Sequence, residues 1–473
     1  MDNLDIKIKN VFPEESVYKI PKRYNIFNGK NLPSFIKDWL MKKFTDDFGE
    51  LDSESLLNFL ESHIPQKDNA IKNRLRTHRE EVTILTRFVV ETDIQHNKLK
   101  FSIPDLGIKS NEGRIPDYIA KKHSDLKDGE IWGVITLAYI PPDGKEKGFI
   151  ELVNYKPFKP YSVDLDYFKS ARKEFSTEEW IDVLLKSMEY NPKGFKSLQQ
   201  KLQFLSRLLI FVEPRLNLIE LAPKGTGKSY IFSNLSKYGW LISGGVVTRA
   251  KLFYDIQKRT YGIIKMYDFV AMDEIQTIKF SEPDELKGAL KSYLESGICT
   301  VANVKIDSSA GMILLGNIPL SNNKLPLNRN YFASLPEFFK ESALLDRFHG
   351  FIEGWQLPRI KEDLKANGYT LNVEYFSEIL HSLREDSSYN AIVSELLDIP
   401  KNADTRDTTA IIKLTTAYLK LLFPHIESVN EINKEEFRNF CLNMAITKRA
   451  IIREQIHLID DEFEKELPNI DIK

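Results

Sequence analysis

Apolar positions along the chain change period three times, and each change marks a different kind of element. Residues 1–30 are polar and broken by Pro13 and Pro21. From Leu32 to about Arg79, segments such as PSFIKDWLMKKF and SESLLNFLESHI place apolar residues at three- and four-residue steps, which predicts helices with one buried face. The period then shortens. EVTILTRFVVETDI and KLKFSIPDLGI read as strands joined by a turn at Gln95–Asn97, and IWGVITLAYI and FIELVNYKPF as two more joined by PPDGKEKG. The first 160 residues are therefore expected to form an α+β domain with a twisted antiparallel sheet.

FKPYSVDLDYFKS carries two prolines and little periodicity, and reads as a linker. Helical patterns follow in STEEWIDVLLKSM and SLQQKLQFLSRLLIFV, so residues 161–215 are expected to be a linker and helices leading into a core. Strands and helices alternate from 216 to 358, the order of an α/β domain. The remainder, 359–473, is helical in pattern, with IIKLTTAYLKLLF and EEFRNFCLNMAITKRAIIREQIH clearest, and is expected to form a lid with C-terminal helices.

The core opens on LNLIELAPKGTGKSYIFSNL. An apolar strand, Leu216–Leu221, runs through Ala222, Pro223, Lys224, Gly225, Thr226 and Gly227 into a helix opening at Lys228 and Ser229. Phosphates are held by such a loop, whose backbone N–H groups and helix N-terminus converge on the anion while glycines let the backbone approach. Lys228 is placed to meet the β- and γ-phosphates of ATP, and Ser229 to put its hydroxyl on Mg²⁺. The P-loop pattern has Gly where this chain has Ala222, a small-for-small departure. Three further segments complete the pattern. YDFVAMDEIQ is an apolar strand ending in two carboxylates: Asp273 to hold the Mg²⁺ water shell, Glu274 to orient and deprotonate the attacking water. MILLGN delivers Asn317 at a strand tip, where it can hold that water from the other side. ESALLDRFHG places Arg347 at the domain edge, where it can reach a neighbouring subunit's site. Arg406, in NADTRDTTAIIKLTT, falls in the first turn of a lid helix and is expected to touch the γ-phosphate of its own subunit.

Charge narrows the partners. Across 473 residues, 66 Lys and Arg against 68 Asp and Glu leave a net charge of −2, so any nucleic-acid contact has to come from a local patch. The two cysteines, Cys299 and Cys441, lack metal-type spacing and fit a reducing compartment. MDNLDIKIKNVFPEES has no apolar run of the signal-peptide kind, and no stretch reaches 18 apolar residues. The expectation is a soluble, cytoplasmic protein without a membrane span.

Strand, P-loop, Asp-Glu, Asn and Leu-Asp-Arg-Phe in this order resemble the AAA+ ATPases, in particular the branch containing Lon and the MCM helicases. ELAPKGTGKSYIFSNLS, LISGGVVTRAKLFYD, FVAMDE, LLGNI, FFKESALLDRFHGFIEGWQLPRI and TRDTTA resemble the BrxL family, Lon-related AAA+ proteins of BREX phage-defence systems. LDIKIKNVFPEES, NLPSFIKDWL and FSTEEWIDVLLKSM are similar to the same family, so the resemblance covers most of the chain. It implies an antiviral role, a homo-hexameric ring or stacked double hexamer, binding of duplex DNA, and contact with other BREX components. Longer members continue into a Lon-like protease domain; this chain stops at Lys473, and no protease activity is expected. In the helicase-like branch a hairpin before the Asn strand grips DNA. GICTVANVKIDSSAG matches that position with Lys305 as its one cation, a thin phosphate grip per subunit but a ring of charge in six copies.

Two other functions fit the same motifs: a nucleotide-gated binding scaffold with slow hydrolysis, and a protein unfoldase without its own protease. An unfoldase would want an aromatic pore loop. Phe253 and Tyr254 are the candidates, but AKLFYDIQKR reads as a buried helix face.

Overall fold

A computed structural model describes residues 2–473 apart from 31, 47–48, 65–69, 95–96, 124–125, 127–128, 145–146 and 158–162. The turn at Gln95–Asn97, the PPDGKEKG turn and the linker that opens at 158 thus fall partly outside the described residues. The chain divides into two units, Trp39–Ser162 and a larger one joining Met1–Asp38 to Val163–Lys473.

The smaller unit carries five strands: β1 (Val82–Asp93), β2 (Lys98–Ile103), β3 (Ile108–Ile115), β4 (Gly129–Ile140) and β5 (Phe149–Pro157). They close into a barrel in the order 1-2-3-5-4. The expected sheet was antiparallel; the structure adds one parallel pair and closes the sheet on itself. β1 pairs with β4 from Val82 to Val90 and with β2 from Val89 to Asp93, so one long strand turns the corner between two neighbours. β3 then pairs in parallel with β5, Gly113 opposite Ile150, which leaves no open edge. Inward-facing Ile84, Phe88, Phe101, Ile135, Leu137, Leu152 and Tyr155 fill the interior. With a short helix (Asp117–Lys122) between the third and fourth strands, this is the topology of OB-type barrels.

The larger unit is built on five parallel strands: β6 (Asn217–Ala222), β7 (Gly239–Ser243), β8 (Phe269–Asp273), β9 (Gly311–Asn317) and β10 (Gly350–Glu353). Their order is 10-6-9-8-7, so the Asn317 strand lies between the P-loop strand and the Asp-Glu strand. β6 and β8 are buried along their whole length, as expected for strands covered on both faces. The P-loop helix α1 (Lys228–Asn234) and helix α2 (Pro283–Ser296) connect them.

Residues 1–38 were expected to belong with the first domain and instead pack in the larger unit. Ser16–Lys19 pairs with Gly368–Leu371, and Asp5 forms a buried ion pair with Lys186. Buried Lys19 lies 3.0 Å from Asp38 and 2.6 Å from Glu189, which in turn bonds Tyr230 on α1. These charges are scattered through the sequence and become partners only in the fold.

The C-terminal helices also depart from expectation. Helices α3 (Thr405–Leu422) and α4 (Asn443–His457) are pinned beneath β10, at the edge where the parallel strands begin, and not over the phosphate loop. Buried Arg449 on α4 donates to Asp407 (2.7 Å), to Asp346 (2.6 Å) and to the Phe348 carbonyl (2.8 Å). Helix Val373–Glu385 seats at the same edge, where Arg384 donates to the carbonyls of Asp268 and Ser309 at 2.6 Å. Among the described residues no helix is long and apolar enough to cross a membrane.

Candidate nucleotide site

Four of the predicted residues meet where β6, β8 and β9 end. Register sets this directly: Asn317 lies opposite Ala222, and Met272, one residue before Asp273, opposite Leu314. The Lys228 ammonium sits 3.2 Å from the Ala222 carbonyl and 3.4 Å from Asn317 Oδ1. Ser229 donates its hydroxyl to Asp273. Burial pushes the Lys228 pKa down, against the pull of Glu220, while Arg207 pushes it further down and Asp273 and Glu274 hold it up.

The loop's backbone explains its residue choice. Gly225 and Gly227 have φ of +83° and +79°, the left-handed region that glycine adopts without steric cost. The Ala222 departure has a partner: its methyl group occupies the space where Gly354 would carry a side chain, 2.1 Å from the point a Cβ would take. Glu274 is itself left-handed, with φ +50°, while its amide donates to Asp273 Oδ1 at 2.8 Å. A non-glycine residue held there costs on the order of 1–3 kcal/mol, and such strain concentrates at functional sites.

Four supporting residues were not read from the sequence. Arg207 and Glu220 form a fully buried pair (2.9 and 2.5 Å) behind the loop, and Arg207 also donates to the Thr226 carbonyl at 2.8 Å. The one signal was Glu220 inside the otherwise apolar LIELA, since a buried carboxylate demands a cation. Gln276 donates to the Asn317 carbonyl at 2.8 Å and to the Ser334 carbonyl at 3.0 Å, and accepts from the Asn317 amide at 3.3 Å, which fixes the tip of β9. Arg359 is exposed and lies against the loop, its Nε 3.1 Å from where a Gly225 Cβ would be; next to it the Ile360 amide donates to the Gly225 carbonyl at 2.8 Å. Pro223, Lys224 and Thr226 complete the loop, with Thr226 buried beneath it.

Arg347 is elsewhere. Two residues after it, the His349 amide donates to Asn217 O (2.8 Å) and the Asn217 amide to His349 Nδ1 (2.9 Å), at the first residue of β6. The P-loop begins at the other end of that strand, roughly 17 Å away at ~3.3 Å per residue. The Arg347 guanidinium bonds the Ala343 carbonyl, and its Nε lies 2.8 Å from Glu295 without an aligned hydrogen bond. Arg406 is at that same edge, 3.0 Å from Asp346 and 3.2–3.3 Å from Glu295. This corrects the expectation that Arg406 touches its own subunit's γ-phosphate, because the helix carrying it is pinned at the far edge of the sheet.

Lys305 projects from the expected hairpin, Ile298–Val301 with Val304–Asp307, opposite Thr300 and exposed. Of the two aromatic candidates Phe253 is fully buried, whereas Tyr254 opens a second hairpin by pairing with Tyr261. That hairpin exposes Ile256, Lys258, Arg259 and Tyr261. The bases of the two hairpins are joined: Lys265 Nζ donates to the Asp307 carbonyl at 2.6 Å, and Ser308 to the Ile264 carbonyl.

A parallel sheet of this order, with a phosphate loop, an Asp-Glu strand end and a polar strand tip between them, defines an AAA+-type ATPase domain. The chain belongs to the BrxL family. Residues 150–469 match the family described as Lon-like protease BrxL-like, ATPase domain, and residues 10–139 match BREX system Lon protease-like protein BrxL N-terminal. The chain is similar to the Lon-like protease BrxL of Escherichia coli O9:H4 (strain HS), 30% identical over 434 residues, covering 90% of this chain and 61% of that protein. Its similarity to the Lon-like protease BrxL of Bacillus cereus (strain H3081.97) is 29% over 467 residues, covering 97% and 67%. Uncharacterized protein 440 of Sulfolobus islandicus rod-shaped virus 1 is 26% identical over 225 residues, 44% of this chain and 50% of that one. This chain therefore spans about three fifths to two thirds of the length of the two BrxL proteins it matches.

Proposed function

We propose that this protein is an ATP-hydrolysing AAA+ ring protein that binds duplex DNA and acts in BREX-type phage defence. The observation that carries the ring is the separation of Arg347 from the chain's own Lys228, Asp273, Glu274 and Asn317 by the length of β6. A second copy can present that edge to the first copy's phosphate loop, so each site draws residues from two subunits. Closed rings of six, single or stacked, repeat such a head-to-tail contact without leaving a free end.

Within a site, Lys228 and the loop amides bind the triphosphate and Glu274 takes a proton from the attacking water. Asn317, its backbone fixed by Gln276, orients that water, and the neighbour's Arg347 balances charge on the transferring phosphoryl group. The bonded oxygens of Ser229 and Asp273 are donors of the hard kind that Mg²⁺ takes, and they would hold it, where it neutralises phosphate charge.

Support for DNA comes from the two hairpins joined at their bases, one carrying exposed Lys305 and the other exposed Lys258 and Arg259, and from the OB-type barrel, a fold that binds oligonucleotides. The test is the ATPase rate with duplex DNA and, separately, with an unfolded protein. Stimulation by DNA is expected; stimulation by the unfolded protein alone would transfer the function to an unfoldase.

A further inference from the structure

Glu189 is doubly unfavourable for the fold. Its backbone is left-handed, with φ +73°, a conformation that glycine adopts freely and a glutamate does not. It is also the second carboxylate on a single ammonium: Lys19 Nζ lies 2.6 Å from Glu189 and 3.0 Å from Asp38, which is fully buried. Lys19 and Asp38 alone would balance. With Glu189 present the cluster holds an excess negative charge; burial raises the Asp38 pKa and Glu189 adds to it, against the pull of Lys19. Burial also works against a charge on Glu189, but Lys19 and the hydroxyls of Tyr230 and Ser34 outweigh it and hold the Glu189 pKa below the usual value.

The other side of that carboxylate faces the nucleotide site. Glu189 Oε2 accepts from the Tyr230 hydroxyl and, at 2.8 Å, from Ser34, and the two hydroxyls lie 2.8 Å apart. Tyr230 follows Ser229 in α1, so Glu189 holds the residue next to the one whose hydroxyl bonds Asp273. The backbone around Glu189 closes on the phosphate loop as well. Its carbonyl accepts from the Ala366 amide at 2.9 Å, and the Tyr190 hydroxyl lies 2.6 Å from where a Gly227 Cβ would be. We propose that Glu189 is a positioning residue for Mg²⁺-ATP: through Tyr230 it sets the first turn of α1 so that Ser229 stands ready for the metal. A residue that strains the backbone and overloads a buried ion pair persists where it serves something other than stability. The inference rests on the nucleotide site proposed above and adds a residue that touches neither nucleotide nor metal. Ser34 lies 196 residues before Tyr230, so metal-dependent binding also draws on the N-terminal segment of the chain.

Two substitutions test the assignment from opposite ends of one bond. Glu189→Gly relaxes the backbone and leaves Lys19 balanced by Asp38, so its thermal midpoint should stay at or above that of the wild type. Tyr230→Phe keeps the ring and every charge and removes only the tether. In both variants the gain in ATP affinity on adding Mg²⁺, measured by calorimetric titration with and without the metal, should shrink. The loss should be on the order of tenfold, the weight of one hydrogen bond to a charged group. The Mg²⁺ concentration that half-saturates turnover should rise with it. Glu189→Gln, which keeps an acceptor for Tyr230, should recover part of the gain. Adding Tyr230→Phe to Glu189→Gly should bring no further loss, because both act through the same bond. The proposal is overturned by a wild-type metal-dependent gain in either single variant. It is equally overturned by a Glu189→Gly midpoint several degrees below the wild type, which would make the carboxylate a support of the fold. The wild type separates the two levels. ATP affinity that is indifferent to Mg²⁺ there sinks the nucleotide site itself; a metal-dependent wild type beside an unaffected Glu189→Gly sinks the role of Glu189 alone.

Discussion

Arg207 is expected to support the phosphate loop in a way that can be separated from its contribution to stability. Replacing it by Met leaves Glu220 fully buried without its cation. Breaking a buried pair in this way costs about 3–5 kcal/mol. The same change removes the donor to the Thr226 carbonyl, a charge-assisted bond worth about 1.5–3 kcal/mol. Arg207→Met should therefore lower the thermal midpoint by several degrees and weaken ATP binding. The double variant Arg207→Met/Glu220→Leu removes the orphaned charge, and replacing a buried pair by apolar residues of similar volume is often neutral. Its midpoint should return close to that of the wild type. Its ATP affinity should stay low, since nothing restores the bond to Thr226; the deficit should be on the order of 10- to 100-fold at 1.4 kcal/mol per decade. Calorimetric titration with ATP and Mg²⁺ beside a thermal unfolding series measures both quantities. A double variant that binds ATP as tightly as the wild type would refute the role of Arg207 in holding the loop.

Arg359→Ala should weaken ATP binding with little change in thermal midpoint, because the side chain is exposed and lies against Gly225; an unaltered dissociation constant would remove it from the site. Lys305→Glu should weaken duplex DNA binding and reduce the salt slope by roughly one unit for each phosphate no longer neutralised, so a wild-type slope would move the grip away from this hairpin. Lys448, fully buried with Gln203 as its acceptor at 2.9 Å, has its pKa pushed down to about 7 by desolvation, against the pull of Glu353 and Glu220. Its folded pKa lies below the unfolded value, so the unfolded chain binds more protons between the two and stability rises with pH from about 7 towards 10. Lys448→Met should accordingly stabilise the protein most at about pH 6.5 and progressively less towards pH 9.5; a gain independent of pH would contradict the assignment.

What was legible in the sequence is what is contiguous or periodic. GTGKS, the Asp-Glu strand end and Asn317 could be placed because a strand, a turn and a helix start each use neighbouring residues, and their order along the chain brings them to one edge of the sheet. The hairpin carrying Lys305 was legible for the same reason. The barrel was not, because period-two patterning specifies strands and faces without saying which edges meet, and the parallel pairing of Gly113 with Ile150 closes it. The buried pairs Arg207–Glu220 and Arg449–Asp346 join segments separated by 13 and 103 residues, and no local pattern announces them. Arg406 was misplaced for a related reason. Its position in a first helical turn was readable, but the edge of the sheet where that helix docks is decided by Arg449, Asp346 and Asp407.

The shared nucleotide site is tested most directly by titrating Glu274→Gln against Arg347→Ala. Each variant alone keeps its phosphate loop and should bind ATP without turning over, the arginine supplying on the order of a thousandfold or more in rate. Mixed before assembly, some interfaces join an intact Glu274 to an intact Arg347, and turnover plotted against mixing ratio should rise to a maximum near equal parts. A flat line at the background of the two variants, in hetero-oligomers verified to contain both, would contradict the account, as would near-normal turnover by Arg347→Ala alone.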